Sequence, residues 1–289
     1  MEIQRVQALS QRITQRYAWG DAVWHVWASH QGRQTDAEDA ASDVATSSPQ
    51  AKPLVLFHGG SGSWTHWLRN VEHFAQYRTV WALDIPGFGD SSLPIGVSDA
   101  DGLVPYMAEI LTRTFGGDTV DVVGFSFGGM TAGLIAAEVP ALIRQLVLVG
   151  APGLGLFSKE LPMRGMTPQM DQDAQRSVHR HNLNTMMFAH AETATEAVID
   201  LQEANVVRDR LRRRRIARTP VLAKVQEQWT CPVHGVWGEL DALYQGTLQQ
   251  VPIVLSRMET FHVVPDAGHW VMYERPEAFH AVVDALLQR

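Results

Sequence analysis

The chain has 289 residues, 45% of them hydrophobic and 19% charged, with a formal net charge of −7. That length allows one large domain or one core carrying an insertion, and the apolar content excludes wholesale disorder. The mild acidic excess gives no reason to expect a nucleic-acid or membrane-surface partner, and the single cysteine, Cys231, excludes an internal disulfide and a multi-cysteine zinc site.

Met1 to Tyr17 carries Glu2, Arg5, Arg12 and Arg16 and has no apolar run of the kind a signal peptide needs, so a cytoplasmic protein is expected. Ile13 to Tyr17 and Val23 to Trp27 read as an antiparallel pair. Asp36 to Ala51 holds four acids, no base and only Val44 as a large apolar residue, so 31–52 is expected to be a flexible surface loop. Short β-branched runs then alternate with helical ones. Leu54 to Phe57, Thr79 to Leu83, Val120 to Phe125, Leu146 to Val149, Val233 to Trp237 and His262 to Val264 are nearly continuous apolar strands, the pattern of a parallel sheet buried on both faces. Gly102 to Phe115, Phe127 to Glu138 and Pro276 to Leu287 have helical spacing. The alternation argues for an α/β sheet.

From Gly153 to about Val225 the alternation stops. Met163, Met166, Met170, Met186, Met187 and Phe188 supply apolar faces, and Thr195 to Arg218 is expected to form one long helix ending before Pro220. This gives a core of residues 1–152 and 226–289 with a helical cap over 153–225.

Chemistry concentrates at Gly124-Phe125-Ser126-Phe127-Gly128, placed between a strand and a helix. That context suits a nucleophile elbow, in which a serine on a strained turn stands clear at a helix N-terminus where amides and dipole favour negative charge. A serine hydroxyl needs a base and a group to orient the base. His269 follows the last strand and Asp241 the one before it, giving the order Ser126, Asp241, His269. Glu239 is the rival acid and Asp266 a weaker one. Amides of Phe127 and of Gly60, in His58-Gly59-Gly60-Ser61-Gly62, are expected to form the oxyanion hole, with Ser61 as the alternative to Gly60. Ser61, Trp64, Phe125 and Trp270 are candidate pocket residues.

These pieces carry a resemblance. With Asp84-Ile85-Pro86-Gly87-Phe88-Gly89-Asp90-Ser91 and Gly268-His269 through Glu274-Arg275-Pro276 to Phe279, the chain from about residue 54 onward resembles the α/β-hydrolase superfamily, in its cap-bearing serine hydrolase branch. The resemblance implies an eight-stranded, mostly parallel sheet with a helical cap after the sixth strand. It implies a cofactor-free, metal-free serine hydrolase acting on a small-molecule substrate, here a small, largely apolar carboxylic ester or thioester. Ser126 in place of an aspartate nucleophile argues against a dehalogenase or epoxide hydrolase. Gly268-His269-Trp270 looks like the carbon–carbon hydrolases of ring-fission products, but Phe125 and Trp64-Thr65-His66 stand where those enzymes carry asparagines. That activity is the alternative reading, and a non-catalytic small-molecule receptor on the same fold is the rival from another class. A monomer or homodimer is expected.

Three weaker signals complete the reading. Arg208 to Arg218 holds seven arginines in eleven residues, read first as a solvated helix face, with one inward arginine as a candidate carboxylate anchor. His179-Arg180-His181 and His190 are expected to form a surface cluster. Cys231, beside a buried strand, is expected to be structural.

Overall fold

The computed structural model describes residues 2–29, 51–156, 160–167, 169–211 and 213–287. Most of the expected 31–52 loop lies outside them. Eight strands form one sheet: β1 (Gln11–Tyr17), β2 (Gly20–Trp27), β3 (Leu54–Phe57), β4 (Val80–Asp84), β5 (Val120–Phe125), β6 (Ile143–Val149), β7 (Val233–Gly238) and β8 (Thr260–Val264). Their order is β1-β2-β4-β3-β5-β6-β7-β8. β2 runs antiparallel to β1 and β4, and β4 through β8 are parallel.

Every expected strand forms, and the continuous apolar runs have a direct cause. Val55 and Phe57, Val120 and Val122, Leu146 and Leu148 pack on one face, with Met107 and Ile110 of helix Val104–Phe115 and Ile135 of helix Phe127–Glu138. Leu54 and Leu56, Val123 and Phe125, Val147 and Val149 pack on the other, with Phe279 and Val283 of helix Pro276–Leu286. Side chains alternate along a strand, so burial of both faces favours apolar residues at successive positions, and a polar one such as Asp121 needs a partner, here Arg78 and Arg144.

Between β6 and β7 the described residues form helices Gln172–Asn182, Glu196–Val206 and Val221–Val225 with short turns between them. Asp171 caps the first, accepting the Ala174 amide at 2.8 Å. Arg176 ties the first to the second through Glu196 at 2.5 Å and Asp200 at 2.6 Å. The expected single helix from Thr195 to Arg218 is not formed. It stops at Val206, and only Arg215–Arg218 regains a short 3-10 turn. Arginines three and four apart would repel on one helix. The chain instead bends to the core, burying Leu211 and donating the Arg210 amide to the Gly87 carbonyl at 2.8 Å.

Candidate active site

Ser126 occupies the turn between β5 and helix Phe127–Glu138 with φ 51 and ψ −120. An L-residue pays for such a backbone conformation in strain, so it persists only where its surroundings impose it. The Ser126 amide donates to Val149 O at 2.7 Å and its carbonyl accepts the Met130 amide at 3.0 Å. A Cβ on Gly124 would stand 2.5 Å from Gly128 O, and one on Gly128 would stand 2.4 Å from the carbonyl oxygens of Phe57 and His58. Both glycines are therefore required for the helix to start this close to the sheet.

The structure brings Ser126, His269 and Asp241 together across 143 residues of sequence. His269 Nε2 lies 2.9 Å from Ser126 Oγ, and His269 Nδ1 lies 2.8 Å from Asp241 Oδ2. Asp241 Oδ1 accepts the Leu243 amide at 2.9 Å, which fixes the carboxylate. His269 and Asp241 are 1% and 2% exposed, so the hydrogen bonds between them are shielded from competing water. Glu239 faces outward, its carboxylate accepting the Asp266 amide at 3.1 Å. Asp266 itself pairs with His190 and Arg275 at the surface. Neither rival acid reaches His269 Nδ1.

Gly60 lies across from Phe127: a Cβ on Gly60 would sit 3.7 Å from Phe127 Cβ. Phe127 is the first residue of its helix, where an amide has no intrahelical carbonyl to meet. Gly60 thus lies close to the residue that follows Ser126.

Comparison with known proteins gives the family. The profile of the alpha/beta hydrolase family matches residues 54–282. The chain belongs to that family. The hydrolase is 29% identical over 258 residues to a 2-hydroxy-6-oxononadienedioate/2-hydroxy-6-oxononatrienedioate hydrolase of a Pseudomonas species, covering 82% of this chain and 88% of the relative. It is 27% identical over 250 residues to a 2-hydroxy-6-oxo-6-phenylhexa-2,4-dienoate hydrolase of Burkholderia cepacia, covering 80% and 86%. Its fold superposes on naproxen esterase of Bacillus subtilis with a TM-score of 0.69 at 15% identity, covering 99% and 96% of the two chains.

The candidate pocket residues separate on inspection. Ser61 of the hydrolase, with φ 51, lines a cavity of about 190 Å³ together with Gly60. Met163, Met166, Met186 and Met187 form apolar walls of that cavity, and His179 and Gln202 add polar ones. Trp64, Phe125 and Trp270 are packing residues instead. Trp64 lies against His25 and Trp27, Phe125 between the rings of His66 and His269, and Trp270 against His66 and Phe188. The surface cluster expected at 179–190 also divides. His179 is buried, and burial lowers its pKa. His181 meets Pro162 O, and His190 pairs with Asp266.

The arginine segment reaches the same place. Arg214 sets its guanidinium over the rings of Phe88 and Phe127, 5.1 and 5.7 Å from their centroids, and pairs with Asp209. Asp209 also accepts Ser61 Oγ at 2.6 Å. A Cβ on Gly60 would meet Arg214 Nε at 3.5 Å. Among the described residues, only His25, Asp84 and Asp90 group their ligand atoms closely enough for a metal ion. Asp84 already accepts the Trp64 and Asp90 amides, and Asp90 pairs with Arg12 and Arg208. Burial raises the Cys231 thiol to about 11, so it stays protonated, in keeping with a packing role.

Two groups at the site carry no readable sign in the sequence. His66 is buried with Nδ1 accepting the Gly59 amide at 3.1 Å. Glu274 is 7% exposed and accepts amides from two separate segments. A glutamate two residues before a proline reads as a helix-start acid, and nothing local reveals that it is buried.

Proposed function

We propose that the chain is a serine hydrolase that opens a small carbonyl substrate through an acyl-enzyme on Ser126. The observation that carries this is the continuous hydrogen-bonded path from Ser126 Oγ through both His269 nitrogens to Asp241, at 2.9 and 2.8 Å. Ser126 Oγ attacks the carbonyl carbon while its proton passes to His269 Nε2. Asp241 accepts from Nδ1, which orients the ring and stabilises the imidazolium. Negative charge gathers on the former carbonyl oxygen, where the Gly60 and Phe127 amides can donate. The tetrahedral species collapses, the leaving group takes the proton from Nε2, and water attacks the acyl-enzyme by the same route in reverse. The helices between β6 and β7 act as a cap whose methionines adapt to the substrate.

A largely apolar carboxylic ester or thioester is the first substrate class, on account of the methionine-walled cavity. Carbon–carbon bond hydrolysis of an acid-bearing dienoate is the second. It is supported by relatives of 27–29% identity over four-fifths of the chain and by Arg214 beside Gly60. A cytoplasmic monomer or homodimer fits either.

Steady-state hydrolysis of p-nitrophenyl esters from acetate to decanoate, with Ser126→Ala as control, tests the reading. Wild-type turnover is expected to exceed the variant by about 10³-fold or more. Equal rates for esters, together with no consumption of a dienoate ring-fission product, would reject it.

A further inference from the structure

Of the two neighbours of His269, one bonds the helical insert directly and the other is joined to it through Glu274. On one side, the Trp270 amide donates to Met187 O at 2.8 Å. On the other, the Gly268 amide donates to Glu274 Oε2 at 2.6 Å. The same carboxylate takes the Ala189 amide at 3.0 Å and the His190 amide at 3.1 Å through Oε1. Thr193 Oγ1 adds a longer bond at 3.4 Å. One carboxylate thus gathers donors from the insert and from the loop that carries the base.

The surrounding packing admits no slack. A Cβ on Gly268 would stand 2.5 Å from the Ala189 nitrogen, 2.8 Å from the Phe188 carbonyl carbon and 2.9 Å from Met187 O. The Phe188 ring stacks on Trp270 at 5.6 Å and 9°. Arg275, the nearest cation in sequence, turns its guanidinium to Asp266 and His190, so the Glu274 carboxylate is satisfied by amides and the Thr193 hydroxyl. A buried carboxylate without a counter-charge is stable only while several amide donors converge on it. Glu274 therefore holds the two segments together only in one relative position.

We propose that Glu274 is a positioning residue that makes seating of the insert and alignment of His269 a single event. The base reaches its bond distance to Ser126 when residues 187–190 lie on residues 268–270, so an insert lifted at this edge carries the imidazole out of line. This rests on the reading of Ser126 and His269 as nucleophile and base.

The test is Glu274→Gln in the full chain. Gln keeps the shape but turns an NH₂ group toward amide N–H donors, which loosens the junction. Turnover of the best p-nitrophenyl ester should fall about 10- to 100-fold, with KM changed less than about threefold, because misplacement of a reacting group costs rate rather than affinity. The low-field proton resonance of the His269 Nδ1–Asp241 bond should broaden or move upfield. Gly268→Ala, which forces the same segments apart while leaving Glu274 in place, should reproduce both changes if Glu274→Gln fails to fold. Asp266→Asn, which breaks only the surface contact to His190 and Arg275, should leave turnover within twofold. Turnover within twofold of wild type in Glu274→Gln, or a loss of rate with an unchanged proton resonance, would overturn the proposal. The resonance is read without substrate, so it separates failure of this inference from failure of the hydrolase reading, which Ser126→Ala reports.

Discussion

The insert meets the sheet along two seams built from different materials. Over His269, residues 187–190 are joined to residues 268–270 by backbone groups, one buried carboxylate and a ring stack. Over the Gly60 and Gly87 loops, residues 208–211 and 213–215 are held mostly by arginine side chains, with Asp209 and one backbone bond from Arg210, around the apolar plug Leu211. The first seam continues the core that includes Phe125, Val149 and Trp270, and the second continues the opposite core, through Leu211 and Leu222. Short, buried bonds to backbone fix a position. Arginines at the end of flexible stems hold a segment close while letting it move, since exposed ion pairs add little.

The sharpest way to break this contrast is at the plug. Leu211→Ala is expected to cost about 2–4 kcal/mol, because a fully buried leucine leaves a cavity that the neighbours cannot fill. Urea unfolding would measure it, and a loss under about 1 kcal/mol would mean that the arginines carry the second seam after all. Next is Arg210→Met. Its guanidinium donates to the carbonyls of Gly89 and Ser91, with the Phe88 carbonyl at 3.4 Å. Those acceptors belong to buried residues, so removing the guanidinium leaves carbonyls without a partner, and about 1–3 kcal/mol is expected.

Acid should act on the first seam, since His66 lies under Trp270 and accepts its indole N–H at the carbonyl at 3.0 Å. Burial, helped by repulsion from His58 and His269, holds the His66 pKa well below the ordinary imidazole value of about 6.5. Burial also lowers His58. The unfolded imidazoles bind protons as pH falls past about 6.5 and the folded ones do not, so stability is whole above that value and declines as pH falls toward the folded pKa values. Urea midpoints at pH 8, 6 and 5 should drop in that order, and a flat series would contradict it. The smallest effect belongs to Arg218→Met, whose partner Glu160 is 88% exposed. No measurable change in Tm is expected.

What was legible in the chain follows the same division. The strands, the elbow glycines and the order Ser126, Asp241, His269 were readable because each depends on a local rule: alternation, a tight turn, a strand end. Asp241 is preferred to Glu239 in the sequence because it lies farther past the strand end, and the fold sets its carboxylate against His269 Nδ1. The long helix expected across Thr195 to Arg218 stops at Val206 because the arginines that follow crowd one another on a helix. The cost of crowding arginines on one helix, set against burying Leu211, appears only when the core is present to receive that side chain.

Trp64 and Trp270, candidate pocket residues in the sequence, are both absorbed into packing. A large ring next to a site is as useful for holding a loop as for touching a ligand, and burial alone distinguishes these roles. His179 went the other way, from surface to cavity wall, because helix Gln172–Asn182 turns that face toward the core.

The sequence by itself determined the fold class, the turn at Ser126 and the place of His269 after β8, since these are written in periodicity and in the glycines of a tight turn. Only the tertiary structure decided that Trp64, Phe125 and Trp270 pack instead of lining the cavity, and that Glu274 joins residues 189–190 to Gly268. Those depend on groups far apart in the chain meeting within about 3 Å, and sequence spacing carries no record of such distances.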